Sequence, residues 1–387
     1  MASGTTTHIK FVSEKIKKVK WQRTAKQIVQ KSSVFASGSW DDVVNHVRVW
    51  RVQPPARDQN EEELGLSAPP GEPALVCSIP HPGDVMDMQF LTEELILSAS
   101  STGAVRLYRY HGNTQTIKES HKWDSLHSYG GKSAAPCTGV DTQGEESIVS
   151  VGEDGKIQVL SFKQKSPIKT IEQVDSCSLN AVKFLKQQEV ATVNSTGQLK
   201  VWDLREGKNA AARTFLLTGE RVPLHCVDRH PTQPHIVATG GQDGMLCVWD
   251  MRQDKFPVTL LDAHGADMWE VKFHPTHPDN LFTCSEDGDV WHWDGSNMGV
   301  TPVATPGQSN FPSNTSTAMS ISLHGGNKSQ NYTSPWLISD TAKHRLEITN
   351  VLPGNVMPVN SLDILDTTLV CGTDGEAVYV QHDIVIR

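Results

Sequence analysis

Short apolar stretches alternate with tight polar turns along most of the chain, and many of the stretches carry a small hydroxyl residue. In two copies the pattern is nearly complete: residues 237–250 read VATGGQDGMLCVWD, and residues 281–294 read LFTCSEDGDVWHWD. A third unit ends in the same Trp-Asp pair, so the closing tryptophans stand at positions 202, 249 and 293. Apolar runs on both sides of an Asp-Gly turn predict antiparallel strand pairs. Because the pattern repeats at the spacing of these tryptophans, it predicts a series of similar sheets packed against one another.

The number of turns between strands gives the number of repeats. Seven turn triplets lie between short apolar runs, at residues 39–41, 101–103, 153–155, 195–197, 242–244, 286–288 and 373–375. Asp-Gly and similar pairs supply the positive φ that a tight hairpin requires. The sequence therefore predicts an all-β fold, a seven-bladed β-propeller that uses residues 1–387 as a single domain.

Two stretches interrupt the period. Residues 54–73 are interpreted as a flexible loop between strands. The interval from 288 to 375 is about twice the usual length and has room for an eighth blade, with strand pairing predicted to resume at 336–338 and at 344–351. Residues 296–334 are rich in Ser, Thr, Asn, Gly and Pro, a composition that buries too little apolar surface for a blade. We interpret them as an inserted, partly disordered loop, which favours seven blades over eight.

The two ends of the chain are predicted to close the ring. The C-terminal region contains three strand-like runs, at 361–365, 368–372 and 377–380, and so lacks the fourth strand of a blade. Residues 8–13 alternate between polar and apolar and are long enough to supply it. Pairing the N-terminal strand with the last blade removes open sheet edges. Residues 16–21 then open the first blade.

One repeat carries a complete set of side chains for an internal hydrogen-bond chain: His264, Thr283, Asp287 and Trp293. Other repeats keep parts of the set, namely Thr239 with Asp243 and Trp249, His81 with Ser98, Ser150 with Asp154, and Thr192 with Trp202. A His-Thr-Asp set also suggests catalysis, but a tryptophan completes it and the parts recur in blade after blade. A set of His, Thr, Asp and Trp resembles the structural tetrad of WD-repeat proteins. We therefore interpret these side chains as part of the scaffold and not as a catalytic site.

Composition narrows the possible functions. The net charge is −9, which argues against a nucleic-acid groove as the main surface. The seven cysteines have no paired spacing and are expected to be reduced, and no stretch predicts a signal peptide or a membrane span. Basic residues cluster between Lys10 and Lys31, with Ile16, Val19 and Trp21 interleaved at strand spacing, and are interpreted as a solvated strand face rather than as a contact for RNA or an acidic partner. No metal, cofactor or enzymatic motif is predicted.

Longer strings within the repeats resemble one family of WD-repeat proteins. Residues 83–90 read GDVMDMQF, residues 218–231 read TGERVPLHCVDRHP, and residues 266–271 read ADMWEV. These strings are similar to the WD-repeat nucleoporin family of about 43 kDa, from the Y-shaped scaffold complex of the nuclear pore. The resemblance implies a non-enzymatic, monomeric propeller that docks onto other Y-complex nucleoporins, including a helical-solenoid neighbour. It also implies roles in pore assembly, in mRNA and protein transport, and at kinetochores in mitosis.

A second hypothesis is a substrate receptor of a cullin-type ubiquitin ligase. Such receptors resemble this chain in the motif W-D-x-R, which occurs here twice and ends in Arg205 and Arg252. The motif is short, and these arginines are also expected to pair with nearby acids on the surface. Under either hypothesis docking is expected on one rim, where aromatic, Met and Arg side chains contribute most to affinity. The candidate docking residues are Met86, Arg221, His225 and Trp269.

Overall fold

Seven four-stranded antiparallel sheets form the computed structural model, so the seven-bladed propeller is confirmed. Each sheet is one blade, with successive strands paired as neighbours. The structure describes residues 6–23, 33–53, 71–130, 133–172, 174–205, 211–217, 221–253, 256–299, 334–337 and 345–387.

The strands follow one another in a regular order. In chain order they are β1 (Thr6–Phe11); blade 1, β2 (Lys15–Trp21), β3 (Val34–Trp40), β4 (Asn45–Val52) and β5 (Pro73–His81); blade 2, β6 (Val85–Phe90), β7 (Leu95–Ser100), β8 (Val105–His111) and β9 (Thr116–Trp123); and a hairpin of β10 (Ser128–Tyr129) with β11 (Ser133–Ala134). Blade 3 contains β12 (Cys137–Gln143), β13 (Ser147–Gly152), β14 (Ile157–Leu160) and β15 (Lys169–Ile171); blade 4 contains β16 (Leu179–Lys186), β17 (Glu189–Asn194), β18 (Gln198–Asp203) and β19 (Arg213–Leu216).

The remaining blades complete the circle. Blade 5 contains β20 (Leu224–Arg229), β21 (Ile236–Gly241), β22 (Met245–Asp250) and β23 (Thr259–Asp262); blade 6 contains β24 (Met268–Phe273), β25 (Asn280–Ser285), β26 (Val290–Asp294) and β27 (Glu347–Asn350); blade 7 contains β28 (Val359–Leu365), β29 (Thr368–Thr373), β30 (Ala377–His382) and β1. Two short 3₁₀ helices lie at Ser296–Gly299 and Pro335–Leu337.

The predicted closure of the ring is confirmed by the pairing of the two ends. β1 runs antiparallel to β30 over its whole length, from Thr6 opposite His382 to Phe11 opposite Ala377. This pairing makes the N-terminal segment the outer strand of the last blade and covers an edge of β30. β2 then begins blade 1, as the alternation of residues 16–21 predicts.

The hydrophobic core lies between neighbouring blades. In one cluster, Ala238 and Val248 of blade 5 pack with Val271, Phe273 and Trp293 of blade 6. β-branched and aromatic residues fill such spaces because successive strand residues point to opposite faces of each sheet. Close approach is needed as well, since a Cβ added at Gly240 would collide with the side chain of Met268.

The long interval belongs to blade 6, because β27 completes that sheet beside β26 and leaves no eighth blade in the described residues. The prediction of strand pairing at 336–338 is wrong for Trp336, which lies in a 3₁₀ helix. Its indole N–H donates to the carbonyl of Pro278 at 2.8 Å, and its ring packs edge-on against Phe273. The place beside β26 is taken by β27, and Trp336 packs instead into the hydrophobic cluster between blades 5 and 6.

The two predicted loops fall mostly outside the described residues. Residues 54–70 of the loop 54–73 and residues 300–333 of the loop 296–334 are not among them. At the end of the first loop, Gly71 lies in a turn and Pro73 already begins β5. The part of the chain that the structure describes contains no helix long and apolar enough to cross a membrane.

Candidate functional site

The hydrogen-bond chain of blade 6 joins all four side chains. The Trp293 indole N–H donates to Thr283 Oγ1 at 3.0 Å, and His264 Nε2 lies 2.8 Å from the same oxygen. His264 Nδ1 is 3.1 Å from the Asp287 carboxylate, which also accepts the backbone N–H of Gly265 at 3.0 Å. Burial lowers the pKa of His264, although Asp287 opposes the shift. The set satisfies buried polar groups, and its one hydroxyl, that of Thr283, is fully buried.

Other blades use shortened versions of this chain. The Trp249 indole donates to Thr239 and the Trp202 indole to Thr192, each at 2.9 Å, while His81 Nε2 lies 3.1 Å from Ser98 Oγ. Asp243 is exposed, and its carboxylate accepts the backbone N–H of Met245. Blade 1 contains a pair that sequence reasoning missed, because the Trp50 indole donates to Ser37 at 2.8 Å.

Blade 3 has a histidine that sequence reasoning also missed. His127 is fully buried, with Nδ1 2.8 Å from Asp154 and Nε2 3.0 Å from Ser150. The β10–β11 hairpin separates this histidine from the first strand of its blade, so its spacing differs from that of His264. The sequence signal for His127 is the pair Ser150 and Asp154, which calls for a histidine in the connection that precedes the blade.

A glutamate in the connection before blade 1 forms a buried ion pair with the third strand of that blade. Glu14 accepts two hydrogen bonds from the Arg48 guanidinium, at 2.7 and 2.6 Å, and lies 2.8 Å from His46 Nδ1. Burial favours the neutral form of Glu14, but its hydrogen bonds to Arg48 and Ser39 outweigh burial and lower its pKa. Blade 1 therefore contains a bidentate Arg–carboxylate pair in addition to the Trp50–Ser37 pair.

The first strand of every blade faces a central channel. One residue of each first strand contributes to a ring around this channel. It directly follows the residue that pairs with a Ser or Thr of the second strand, or with Cys371 in blade 7. The seven residues are Lys20, Gln89, Asp141, Lys183, Asp228, Lys272 and Asp363. We call these seven residues the channel ring. From blade 3 through blade 7 to blade 1 the charge alternates, and the seventh member is neutral.

The acids of the channel ring connect neighbouring blades. Asp141 accepts the backbone N–H of Phe184 at 2.7 Å, and Asp228 accepts that of Phe273 at 3.0 Å. Lys183 lies between these two carboxylates, 3.4 Å from the first and 3.2 Å from the second. Burial opposes ionisation of Asp228, but the ammonium groups of Lys272 and Lys183 lower its pKa to about 2. The charged members of the ring therefore lie buried or half-buried beside charges of opposite sign.

Glu270 adds a second layer of charge above the channel ring. It pairs with Lys20, lies 3.5 Å from Lys18 Nζ, and accepts a 2.6 Å hydrogen bond from Ser361 Oγ. Burial raises the pKa of Glu270, yet Lys18 and Lys20 outweigh burial and lower it to about 2. The interpretation of these lysines as a solvated face is wrong, since Lys20 is buried. Alternation showed that they share a face but not that this face lines a channel.

Three of the four candidate docking residues meet at one mouth of the channel. Met86, His225 and Trp269 line a cavity of about 230 Å³ at this mouth. Trp269 is half-buried, with its ring 4.9 Å from that of His225. Arg221 is exposed and lies outside the cavity lining. Sequence reasoning missed Lys17, whose ammonium lies 4.7 Å from the Trp269 ring and 4.6 Å from the Trp40 ring.

The mouth offers contacts rather than chemistry. Burial, together with the nearby charge of Lys18, lowers the pKa of Lys17 to about 8. Stacking between two indoles holds the Lys17 side chain in place. In the described part of the chain no three His, Cys, Asp or Glu side chains are grouped as metal ligands.

Both W-D-x-R arginines pair with the aspartate of their own motif. Arg252 donates to the two carboxylate oxygens of Asp250 at 2.9 and 2.8 Å. Arg205 donates to Asp203 in the same way, at 3.0 and 2.6 Å. The pairing with nearby acids that the sequence predicts is therefore present at both positions.

Comparison with known proteins places the fold in a family. Residues 213–250 and 255–294 match the model of the WD domain, G-beta repeat. The chain is 47% identical over 378 residues to "Nucleoporin Nup43" of Homo sapiens, covering 96% of this chain and 97% of that protein. It is 46% identical over 382 residues to the Mus musculus protein of the same name, covering 97% and 98%. It is 30% identical over 150 residues to "Nuclear pore complex protein nup43" of Dictyostelium discoideum, covering 38% and 35%. The chain therefore belongs to the Nup43 family of nucleoporins, and it is a structural protein of the nuclear pore rather than an enzyme.

Proposed function

We propose that the chain is a subunit of the Y-shaped outer scaffold of the nuclear pore and docks through one rim onto a helical-solenoid neighbour. The near full-length similarity to Nup43 proteins carries this proposal. The side chains of the propeller support the proposal as well, since those of the tetrads and of the channel ring pair with groups inside the propeller. Rim and loop side chains then remain for contacts with other proteins.

The test of this proposal is a reconstitution. The Y-shaped complex is assembled without this chain, and the purified full-length propeller is added to it. We expect one propeller per complex, because the propeller itself is proposed to be a monomer. Failure of the wild-type chain to bind the complex overturns the proposal.

We further propose roles in pore assembly, in mRNA and protein transport, and at kinetochores during mitosis. These roles agree with membership of a nuclear pore family. Depleting the chain and restoring it during interphase or mitosis separates them, with pore density, import and export rates, and chromosome alignment as readouts. Normal values of all of them after depletion contradict the proposal.

The ubiquitin-ligase hypothesis is tested by purifying the chain together with its bound partners. Arg205 and Arg252 each hold the aspartate of their own motif, so binding a ligase adaptor requires these pairs to separate. We expect scaffold nucleoporins to co-purify, with no adaptor. An adaptor that is lost with Arg252→Ala supports the receptor role instead.

The candidate residues of the channel mouth give a first docking test. We propose that Met86, Arg221, His225 and Trp269 contribute to a partner contact on the rim where the channel mouth opens. Trp269→Ala removes a half-buried aromatic anchor of the type that dominates many interfaces. We expect weaker binding to the Y-shaped complex at an unchanged melting temperature. Unchanged affinity removes Trp269 from the docking surface.

A further inference from the structure

Large apolar side chains are concentrated on one sector of the rim that carries the channel mouth. This rim consists of the turns between second and third strands and of the connections between blades. Seven large hydrophobic residues of the described chain are exposed on it: Phe11, Val43, Val44, Tyr129, Leu216, Val356 and Met357. All of them except Tyr129 and Leu216 belong to blade 1, to blade 7 or to the connection leading into blade 7. We call these five residues the ring-closure patch.

Direct contacts connect the parts of this patch through the turn at 374–376. Met357 lies on one side of the turn, since a Cβ added to the turn's glycine would be 3.4 Å from Met357 Cγ. Phe11 ends the strand that pairs with β30, which begins directly after the turn. On the other side, the Trp40 indole donates to the turn's aspartate at 3.2 Å. Val43 follows in the next turn, so the apolar residues form an arc.

The exposure of these residues is unusual for their type. Val43 is 98% exposed, Val356 is 81% exposed and Phe11 is 74% exposed. Single exposed hydrophobic residues are common on protein surfaces, but neighbouring ones on a rigid rim indicate an interaction site. Covering apolar surface contributes roughly 25 cal/mol per Å² to binding before the costs of association.

Charge decides which kind of partner fits. Asp41, Asp42 and Glu376 are exposed within the arc. Lys15 pairs with Asp41 at 2.6 Å, which leaves an excess of acids around the apolar side chains. A second copy of this chain would bring the same acids face to face, which is unfavourable. A partner with basic residues around an apolar stripe complements the patch in both respects.

We infer that the ring-closure patch binds a basic amphipathic helix of another scaffold subunit. Apolar residues on one face of such a helix cover Phe11, Val43 and Met357, and flanking Lys or Arg side chains pair with Asp42 and Glu376. The inference rests on the proposed function and names the surface and the chemistry of the partner. It predicts both an apolar and an ionic component of binding.

The experiment measures the affinity of full-length variants for the purified Y-shaped complex assembled without this chain. One variant combines Phe11→Ser, Val43→Ser and Met357→Ser, and a second replaces Asp42 and Glu376 with Lys. The matched controls are Tyr129→Ser on the same rim and Ile168→Ser, which is also exposed but lies between the third and fourth strands of blade 3. Melting temperatures of all variants verify folding.

We expect the apolar triple variant to bind at least tenfold more weakly and both controls to bind like the wild type. The Lys variant is expected to bind more weakly at low salt and to lose most of the salt dependence seen with the wild-type chain. If a folded triple variant binds as tightly as the wild type, the patch is not the docking site, although the proposed function stands. If the wild-type chain binds no complex, the proposed function itself fails.

Two further results bear on the identity of the occupant. Sedimentation of the chain alone is expected to show monomers for every variant. A dimer of the wild type that the Val356→Ser/Met357→Ser double variant abolishes assigns the patch to a second copy and overturns the inference. Stronger binding of the Lys variant identifies an acidic partner and overturns it as well.

Discussion

At the residue scale, the tetrad side chains show which contacts a single sequence can predict. Thr283, Asp287 and Trp293 lie within one hairpin, so strand and turn geometry fix their relative positions from spacing alone. His127 and Glu14 come from connections of variable length, and no local spacing relates them to their partners. Blade 1 also uses an ion pair, which the recurring hydroxyl and tryptophan positions do not predict. Contacts within one hairpin, and those of His264 and His81 at the usual spacing, were therefore predictable, whereas contacts from connections of unusual length were not.

The acceptor role of Asp287 gives the first prediction. Its carboxylate accepts bonds from His264 Nδ1 and from the backbone N–H groups of Gly265 and Asp289. Asp287→Ala leaves these donors without their acceptor and is expected to destabilise the fold by roughly 1–3 kcal/mol. Urea unfolding measures the change.

The matched control is Asp243→Ala in blade 5. That aspartate is exposed, and within the described residues it accepts the N–H of Met245 in its own turn. We expect its effect to stay within about 0.5 kcal/mol, as for most surface changes. Equal losses for the two variants contradict a special role for the His264–Asp287 contact.

At the element scale, the first strands show what alternation reveals and what it conceals. Period-two patterning indicates that Lys18 and Lys20 lie on the same face of β2. Their partner Glu270 lies in β24, about 250 residues away in the sequence and in a blade that is not an immediate neighbour along the chain. Pairing of this kind depends on the closure of the ring. Strand positions were therefore predictable from the sequence, whereas the charge network was not.

Glu270 gives the second prediction. Glu270→Gln removes the charge that compensates Lys18 and Lys20, and breaking such a buried pair costs about 3–5 kcal/mol. The surface control Glu146→Gln, which breaks an exposed pair with Lys163, is expected to cost less than about 1 kcal/mol. Chemical unfolding at neutral pH measures both. A loss for Glu270→Gln as small as that of the control contradicts the network.

The same carboxylate predicts how this loss depends on pH. The pKa of Glu270 is about 2 in the folded chain and lies near its ordinary value of about 4.3 in the unfolded chain. Its stabilising contribution is therefore fully present above about pH 5 and decreases as the pH falls towards 2. The difference in unfolding free energy between wild type and Glu270→Gln should shrink between pH 5 and pH 3.5. A constant difference over this range contradicts the assigned pKa shift.

The third prediction concerns β1. Deleting residues 1–11 exposes the edge of β30, whose backbone groups then lack their partners. We expect a lower melting temperature and concentration-dependent aggregation, measured by calorimetry and light scattering. Deleting residues 1–5, which precede β1, is the control and should leave both properties unchanged. Aggregation of the control alone would show that the strand pairing is not what protects the edge.

At the scale of the whole molecule, the number of blades limits the electrostatics of the channel. Six members of the channel ring alternate in sign, and each lies between two opposite charges or beside one neutral residue. A ring with an odd number of members cannot alternate completely, so one position must break the pattern. Gln89 occupies that position, between Lys20 of blade 1 and Asp141 of blade 3. Turn counting predicts the odd number of blades, but the place of the neutral residue follows only from the closed structure.

The neutrality of Gln89 gives the last prediction. Either charge at this position meets one like and one unlike neighbour, so the two Coulombic contributions nearly cancel and the cost of removing the charge from water remains. Gln89→Glu and Gln89→Lys are therefore both expected to destabilise the fold, by about 1–2 kcal/mol each. Gln89→Met keeps the position neutral at similar size and should change stability by less than about 0.5 kcal/mol. Urea unfolding of the three variants at 0.15 M salt tests this directly. If either charged variant is as stable as Gln89→Met, the alternating ring does not govern this position, and the charge order of the channel is set blade by blade instead.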